Sequence, residues 1–290
     1  MQVLSILSTI FTTFAYGVAG YALNPVFFDA VVNKSDISVL SQSVPIMLGI
    51  FGVNFIHELS HHLAAKVTKT DIGLPILLPS LQIGSFGAIT PLRSFPKNRE
   101  AMFDVAMSGP IASFMTSISL MIAGIVLTIH SSAEQITTLA TIPAALMKTS
   151  LLVGSLTSVF APKIMMMPLS QPIAIHPLFL VGFAGIVLSA LNMLPIGRLD
   201  GGRACSAVFG RRNAVLVSFS TLLFLSIAAI TGSSTISIFW GLLVTLFQRN
   251  LDVPVRDDWS EVSNTRVTIF SIAMLLTIIT LVPFPGGEIL

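Results

Sequence analysis

Residues 43–65 read SVPIMLGIFGVNFIHELSHHLAA, an apolar run that closes on His57, Glu58, His61 and His62. A helix that crosses a bilayer needs about 20 mostly apolar residues, and this run meets that length. Ionisable groups inside such a run are costly unless something compensates them, so they are functional candidates by default. On a helix, positions i and i+4 share a face, which sets His57 beside His61. Two imidazoles so placed can grip one metal ion, and zinc suits such a set. Glu58 projects next to that face, within reach of a water at the metal, as a general base. The arrangement predicts metal-assisted peptide hydrolysis. The plainer alternative is a helix end whose polar residues emerge at the membrane interface. His62 points about 100° away and is read as a supporting or interfacial residue rather than a ligand.

Composition agrees with a membrane setting. Of 290 residues, 53% are hydrophobic and 10% charged, with a mean hydropathy of +0.89. A soluble domain carries roughly one-quarter charged residues. The net charge of +2 gives no basic face for nucleic acid. Cys205 is the only cysteine, which excludes an internal disulfide framework and a Cys-rich metal site. Metal ligands must therefore be His, Asp or Glu. The first run, about 3–23, has no Lys or Arg before it and exceeds a signal-peptide core, so it reads as a span. No Arg- and Ser-rich, acid-poor leader is read before it, and the expectation is a mature or truncated chain.

Further apolar runs cover about 105–129, 139–161, 176–194, 213–231, 234–248 and 267–283. The expectation is an all-α polytopic membrane protein with about seven transmembrane helices. It is read as a single integral membrane peptidase domain, 1–290, with its catalytic core at about 43–212. Two loops are cationic: 66–104 carries Lys66, Lys69, Arg93, Lys97 and Arg99, and 195–212 carries Arg198, Arg203, Arg211 and Arg212. The positive-inside rule puts both on one side, so an even number of crossings separates them. The run at 139–161, interrupted by Pro143 and Lys148, is therefore predicted to be re-entrant or interfacial. The amino terminus falls on the cationic side and the carboxyl terminus opposite. Between 74 and 96 lies LPILLPSLQIGSFGAITPLRSFP, whose prolines and glycines make a poor helix. It is predicted to form a short re-entrant β-like hairpin beside the site, with a surface loop as the alternative.

A catalytic zinc usually takes three protein ligands and leaves a position for water. Asp200 is the candidate third ligand, in the stretch LNMLPIGRLDGG at 191–202. There Pro195 and Gly197 break an apolar helix and Gly201 and Gly202 read as a turn. Read alone, that Asp-Gly-Gly is an ordinary turn; beside an HExxH that lacks a third ligand, it is a site. Asn192 is positioned to hydrogen-bond substrate backbone or the tetrahedral oxyanion, or else a neighbouring helix. Arg198 and Arg203 are expected to snorkel to headgroups, and His130 and His176 to be interfacial.

His57-Glu58-Leu59-Ser60-His61 together with the N-x-x-P-x-x-x-x-D-G from Asn192 to Gly201 resembles the site-2 protease family of intramembrane metalloproteases. Gly84 to Thr90, Ser108-Gly109-Pro110, and Phe239-Trp240-Gly241-Leu242 through Gln248-Arg249 resemble its plastid branch, called ethylene-dependent gravitropism-deficient and yellow-green. The resemblance implies one catalytic Zn2+ on His57, His61 and Asp200, Glu58 as acid/base, and substrates that are single-span membrane proteins. It also implies membrane lipid as a partner and a chloroplast membrane as the location. Two other functions stay open from sequence: a polytopic zinc transporter or channel, and an inactive zinc-binding membrane chaperone.

Overall fold

The structure, a computed structural model, describes residues 2–231, 235–247 and 250–286. It is a polytopic helical membrane protein with two small hairpins. Among the described residues, five helical stretches are long and apolar enough to cross a membrane.

Helix α1 (Gln2–Tyr21) is apolar outside and polar inside. Thr9, Thr12, Thr13, Gly17 and Gly20 are buried, while Val3, Leu4, Leu7 and Phe11 are exposed. That inversion suits lipid, where small and hydroxylated residues let helices approach and hydrogen-bond. A short α2 (Pro25–Phe28), capped by Asn24, leads through a π turn and a 3-10 turn into α3 (Val44–Thr68). Pro45 suits the first turn of α3, where no helix bond is lost. Lys69 ends it in the left-handed conformation, its amide and that of Thr70 closing on the last carbonyls. The inward stripe of α3 is Ile46, Ile50, Val53, Asn54, His57, Glu58, His61 and Ala65. The helical period thus buries the whole chemical cluster.

Next comes an antiparallel hairpin, β1 (Ile76–Ser80) with β2 (Gly84–Ile89), packed on α1, α3 and later α8. A hairpin is present within the stretch 74–96, where one was expected. Helix α4 (Arg99–Ile129), capped by Asn98, passes α3 and crosses α8 closely. The approach depends on glycine: a Cβ at Gly124 would strike the Phe179 backbone, and one at Gly182 the Met121 backbone. Beyond α4 lie α5 (Ala133–Ile136), β3 (Ala140–Pro143), a 3-10 turn, α6 (Leu151–Phe160), α7 (Pro162–Met165) and β4 (Pro172–Ile175), β3 pairing antiparallel with β4. The run at 139–161 is therefore not one helix. A second hairpin thus joins the expected one in a mostly helical chain: β3 lies inside the apolar run and β4 beyond it, and strands of four residues are too short to display an alternating pattern.

Helix α8 (Pro177–Asn192) is buried on every side from Phe179 onward, the mark of a central helix. Helix α9 (Asp200–Thr231) bends at Gly210, and α10 (Thr235–Phe247) and α11 (Asn264–Leu281) follow. The loop expected at 195–212 is shorter than read, because Gly201 and Gly202 lie inside α9 rather than in a turn. Their missing side chains let the first turn of α9 press on the carbonyls of Met193, Leu194, Ile196 and Gly197.

The polar loops gather at one end. Arg203 pairs with Asp252, Asn98 bridges Asp257, and Arg266 pairs with Glu100 and Asp104. At the other end, the Asn24 amide donates to Thr137 and Leu139, and the segment at 148–151 pairs with Val282 and Phe284.

Candidate metal centre

Helix α3 and the start of α9 bring three donors together. His57 Nε2 lies 3.2 Å and His61 Nε2 3.4 Å from Asp200 Oδ2, and the two Nε2 atoms are 2.9 Å apart. All three side chains are buried, and each offers an atom to a common point where a metal ion could sit. His61 is held from behind: its Nδ1 lies 2.7 Å from the Val105 carbonyl. A carbonyl only accepts, so Nδ1 carries the proton and the lone pair of the neutral ring sits on Nε2. His57 Nδ1 contacts Ser113 Oγ at 3.0 Å. Gly109 makes room for this packing, since a Cβ there would collide with the His61 ring.

Glu58 is next to the triad and outside it. Thr90 Oγ1 donates to its Oε2 at 2.5 Å, while Oε1 has no hydrogen bond among the described residues. Thr90 follows β2, and its carbonyl accepts from Arg203 Nη2 at 2.9 Å. Arg203 also binds Asp252 through Nε and Nη2, at 2.8 and 2.6 Å, and lies 3.9 Å from Asp200 Oδ1. This corrects the expectation that Arg203 snorkels. It is buried and paired, whereas Arg198 is exposed. Unpaired, a buried guanidinium would cost several kcal/mol; Asp252, from the loop before α11, offsets that cost.

Asn192, the last residue of α8, is buried, and its amide has no hydrogen bond among the described residues. It helps line a small polar crevice with Ala88, Ile89, Thr90, Leu199, Asp200 and Arg203. Gly87, at φ 82°, faces it; a Cβ there would come 3.0 Å from Asn192 Nδ2. The helix–helix hydrogen bond that was the alternative for Asn192 is not formed among the described residues.

Thr90, Ser113, Asp252, Asn54 and Ser85 were not read as site residues. Asn54 Nδ2 donates to Ser85 Oγ at 3.1 Å, fastening β2 to α3 one turn before His57. A lone amide at i−3 from His57 was the signal that could have found it. His62 turns aside, its Nδ1–H donating to the Glu58 carbonyl at 2.9 Å. His130 is exposed, and His176 caps α8.

Residues 45–231 match the description Peptidase family M50. The chain belongs to that family. Among curated family relatives, it is 33% identical over 241 residues to the probable zinc metalloprotease EGY1, chloroplastic, of Arabidopsis thaliana, covering 83% of this chain and 43% of that protein. It is 32% identical to EGY1 of Oryza sativa subsp. japonica, covering 84% of this chain and 41% of that protein. The probable zinc metallopeptidase EGY3 of Arabidopsis thaliana is 27% identical over 288 residues, or 96% of this chain and 48% of that protein. The chain thus spans less than half the length of these relatives. No solved structure shows a significant match. The family resemblance drawn from the two motifs is borne out; Gln248 and Arg249 of the third motif lie outside the described residues.

Proposed function

We propose that the protein is an intramembrane zinc metalloendopeptidase that cuts single-span membrane proteins within or near the bilayer. The observation that carries this reading is the convergence of His57, His61 and Asp200 with Glu58 beside them. Their separations of 2.9, 3.2 and 3.4 Å suit the ~3.3 Å edges of a tetrahedron with metal bonds of about 2.0–2.1 Å. Zinc held there supplies a Lewis acid that polarises a peptide carbonyl and acidifies water.

The chain's own groups do the rest. Glu58 takes the proton of the attacking water at Oε1, its other oxygen being engaged by Thr90, and returns it to the leaving amine. The Asn192 amide donates to the carbonyl oxygen as negative charge builds there. β2 pairs only with β1 among the described residues. Its other edge can receive an unwound substrate segment as an added strand, and Gly87 keeps that approach open. Catalysis needs a helix-breaking substrate, since an intact helix shields its peptide bonds.

The reading extends to topology. Helices α1, α3, α4, α8, α9, α10 and α11 make seven crossings, the amino terminus on the side of the cationic loops. The supporting contacts are those that gather Thr90, Asn98, Arg203 and Asp252 at one end and Asn24, Leu139 and Val282 at the other. Local thinning of the bilayer accommodates the shorter helices. We place the peptidase as one domain, 1–290 with its core at 43–212, in a chloroplast membrane by likeness to its chloroplastic relatives. A metal pathway would need further ligand groups, and among the described residues the triad is the one cluster of that kind.

The test is purified protein in vesicles with a fluorescent single-span substrate. Cutting should stop with a chelator and return with zinc, and Asp200→Ala should lose metal along with activity. Zinc flux without cutting would favour transport instead. Full zinc content in the Asp200 variant would point to a different third ligand.

A further inference from the structure

We infer that Ser113 is a positioning residue for the metal centre, part of a hydrogen-bond chain running on to Ser189 that keeps the His57 proton on Nδ1. The inference rests on the reading of His57 as a metal ligand.

Both serines are buried, Ser113 in α4 and Ser189 in α8. From His57 Nδ1 the contacts run 3.0 Å to Ser113 Oγ, 2.8 Å to Ser189 Oγ, and 2.8 Å to the Gly185 carbonyl. A hydroxyl has one hydrogen and a carbonyl has none to give. In the proposed chain the hydrogen of Ser189 goes to Gly185, so Ser189 accepts from Ser113. Ser113, its hydrogen so committed, accepts from His57 Nδ1–H. The Pro110 carbonyl, 3.2 Å from Ser113 Oγ, offers a second outlet for that hydrogen. Either outlet leaves Ser113 as an acceptor toward His57.

The consequence lies at the opposite ring atom. His57 Nε2 is left bare, as His61 Nε2 is left bare by the Val105 carbonyl. Two lone pairs 2.9 Å apart beside a carboxylate repel one another until a cation enters. The hydroxyl chain thus presents both rings in the ligating tautomer. Without Ser113, the His57 proton can move to Nε2, where Asp200 Oδ2 at 3.2 Å accepts it. A metal must then displace that proton before it binds.

The serines predict unequal effects. Ser113→Ala should raise the zinc dissociation constant about 10- to 100-fold, the usual cost of losing a hydrogen bond behind a ligand. Ser189→Ala should change it by less than about 3-fold, because Ser113 can turn its hydrogen to Pro110 and still accept from His57. Zinc affinity by chelator competition reads the first effect. Nitrogen NMR of labelled histidine in the metal-free protein, with imidazoles neutral, reads the second: Nδ1–H at His57 in wild type and Ser189→Ala, Nε2–H in Ser113→Ala. Unchanged tautomer in Ser113→Ala, or equal weakening by both variants with no change of tautomer, would overturn the inference. Wild-type protein that binds no zinc while its tautomer responds as stated would overturn the metal-centre reading and leave the chain standing.

Discussion

The two hairpins are alike in size and opposite in construction. β3–β4 runs in unbroken register from Ala140 against Ile175 to Pro143 against Pro172. β1–β2 slips between Leu77 and Pro79 and contains Gly84 and Gly87 at positive φ. The regular hairpin fastens helix ends far from the metal centre through main-chain bonds and the Asn24 cap. The irregular one is tied to helices by side chains: Thr12 donates to the Gly84 carbonyl at 2.7 Å, Asn54 binds Ser85, and Thr90 holds Glu58. Local rules are broken where the backbone must serve a neighbouring site, and kept where it only closes the fold.

That contrast is open to measurement. The largest effect belongs to the group the irregular hairpin holds. Glu58→Gln should retain zinc and lose about 10²- to 10⁴-fold in kcat, the usual contribution of a general base. A near wild-type rate with zinc bound would remove Glu58 from the chemistry. Next comes the hairpin's own hydroxyl. A hydrogen bond to a charged group is worth about 1.5–3 kcal/mol, so Thr90→Val should cost ~10- to 100-fold in kcat. Thr90→Ser should restore most of it, and equal loss in both variants would mean packing, not the hydroxyl, matters. Gly87→Ala places a side chain at φ 82° against Asn192. At about 1–2 kcal/mol of strain, it should lower kcat/KM ~5- to 30-fold, without loss of bound zinc. On the regular hairpin, the exposed Pro172 is the control. Pro172→Ala should alter the rate by less than about 2-fold, as surface changes usually do. A loss comparable to that of Gly87→Ala would erase the distinction between the hairpins.

The same contrast explains what the sequence disclosed. His57, Glu58 and His61 were legible because one helix supplies them, and the helical period alone puts them together. Asp200 was legible through its spacing after Asn192 and Pro195, although its two glycines were misread as a turn. They serve packing instead, which depends on neighbours that no local pattern encodes. Arg203, Thr90 and Asp252 come from three separate segments, and their pairing exists only once the chain is folded. The first hairpin announced itself through prolines and glycines. The second was hidden because its strands are only four residues each, one inside the apolar run at 139–161 and the other beyond it.

Cys205 has one practical consequence. It sits with no exposed surface in the second turn of α9, among Met102, Met107 and Met193. A thiol reagent in water has no route to it, so the natural protein already behaves as a cysteine-free background. A single cysteine at Lys97, or at Lys148 on the opposite end, can therefore be labelled without first removing the native thiol. Reaction of the two from opposite sides of sealed, oriented vesicles would map the crossings with Cys205 left in place; reaction of both from one side would redraw them.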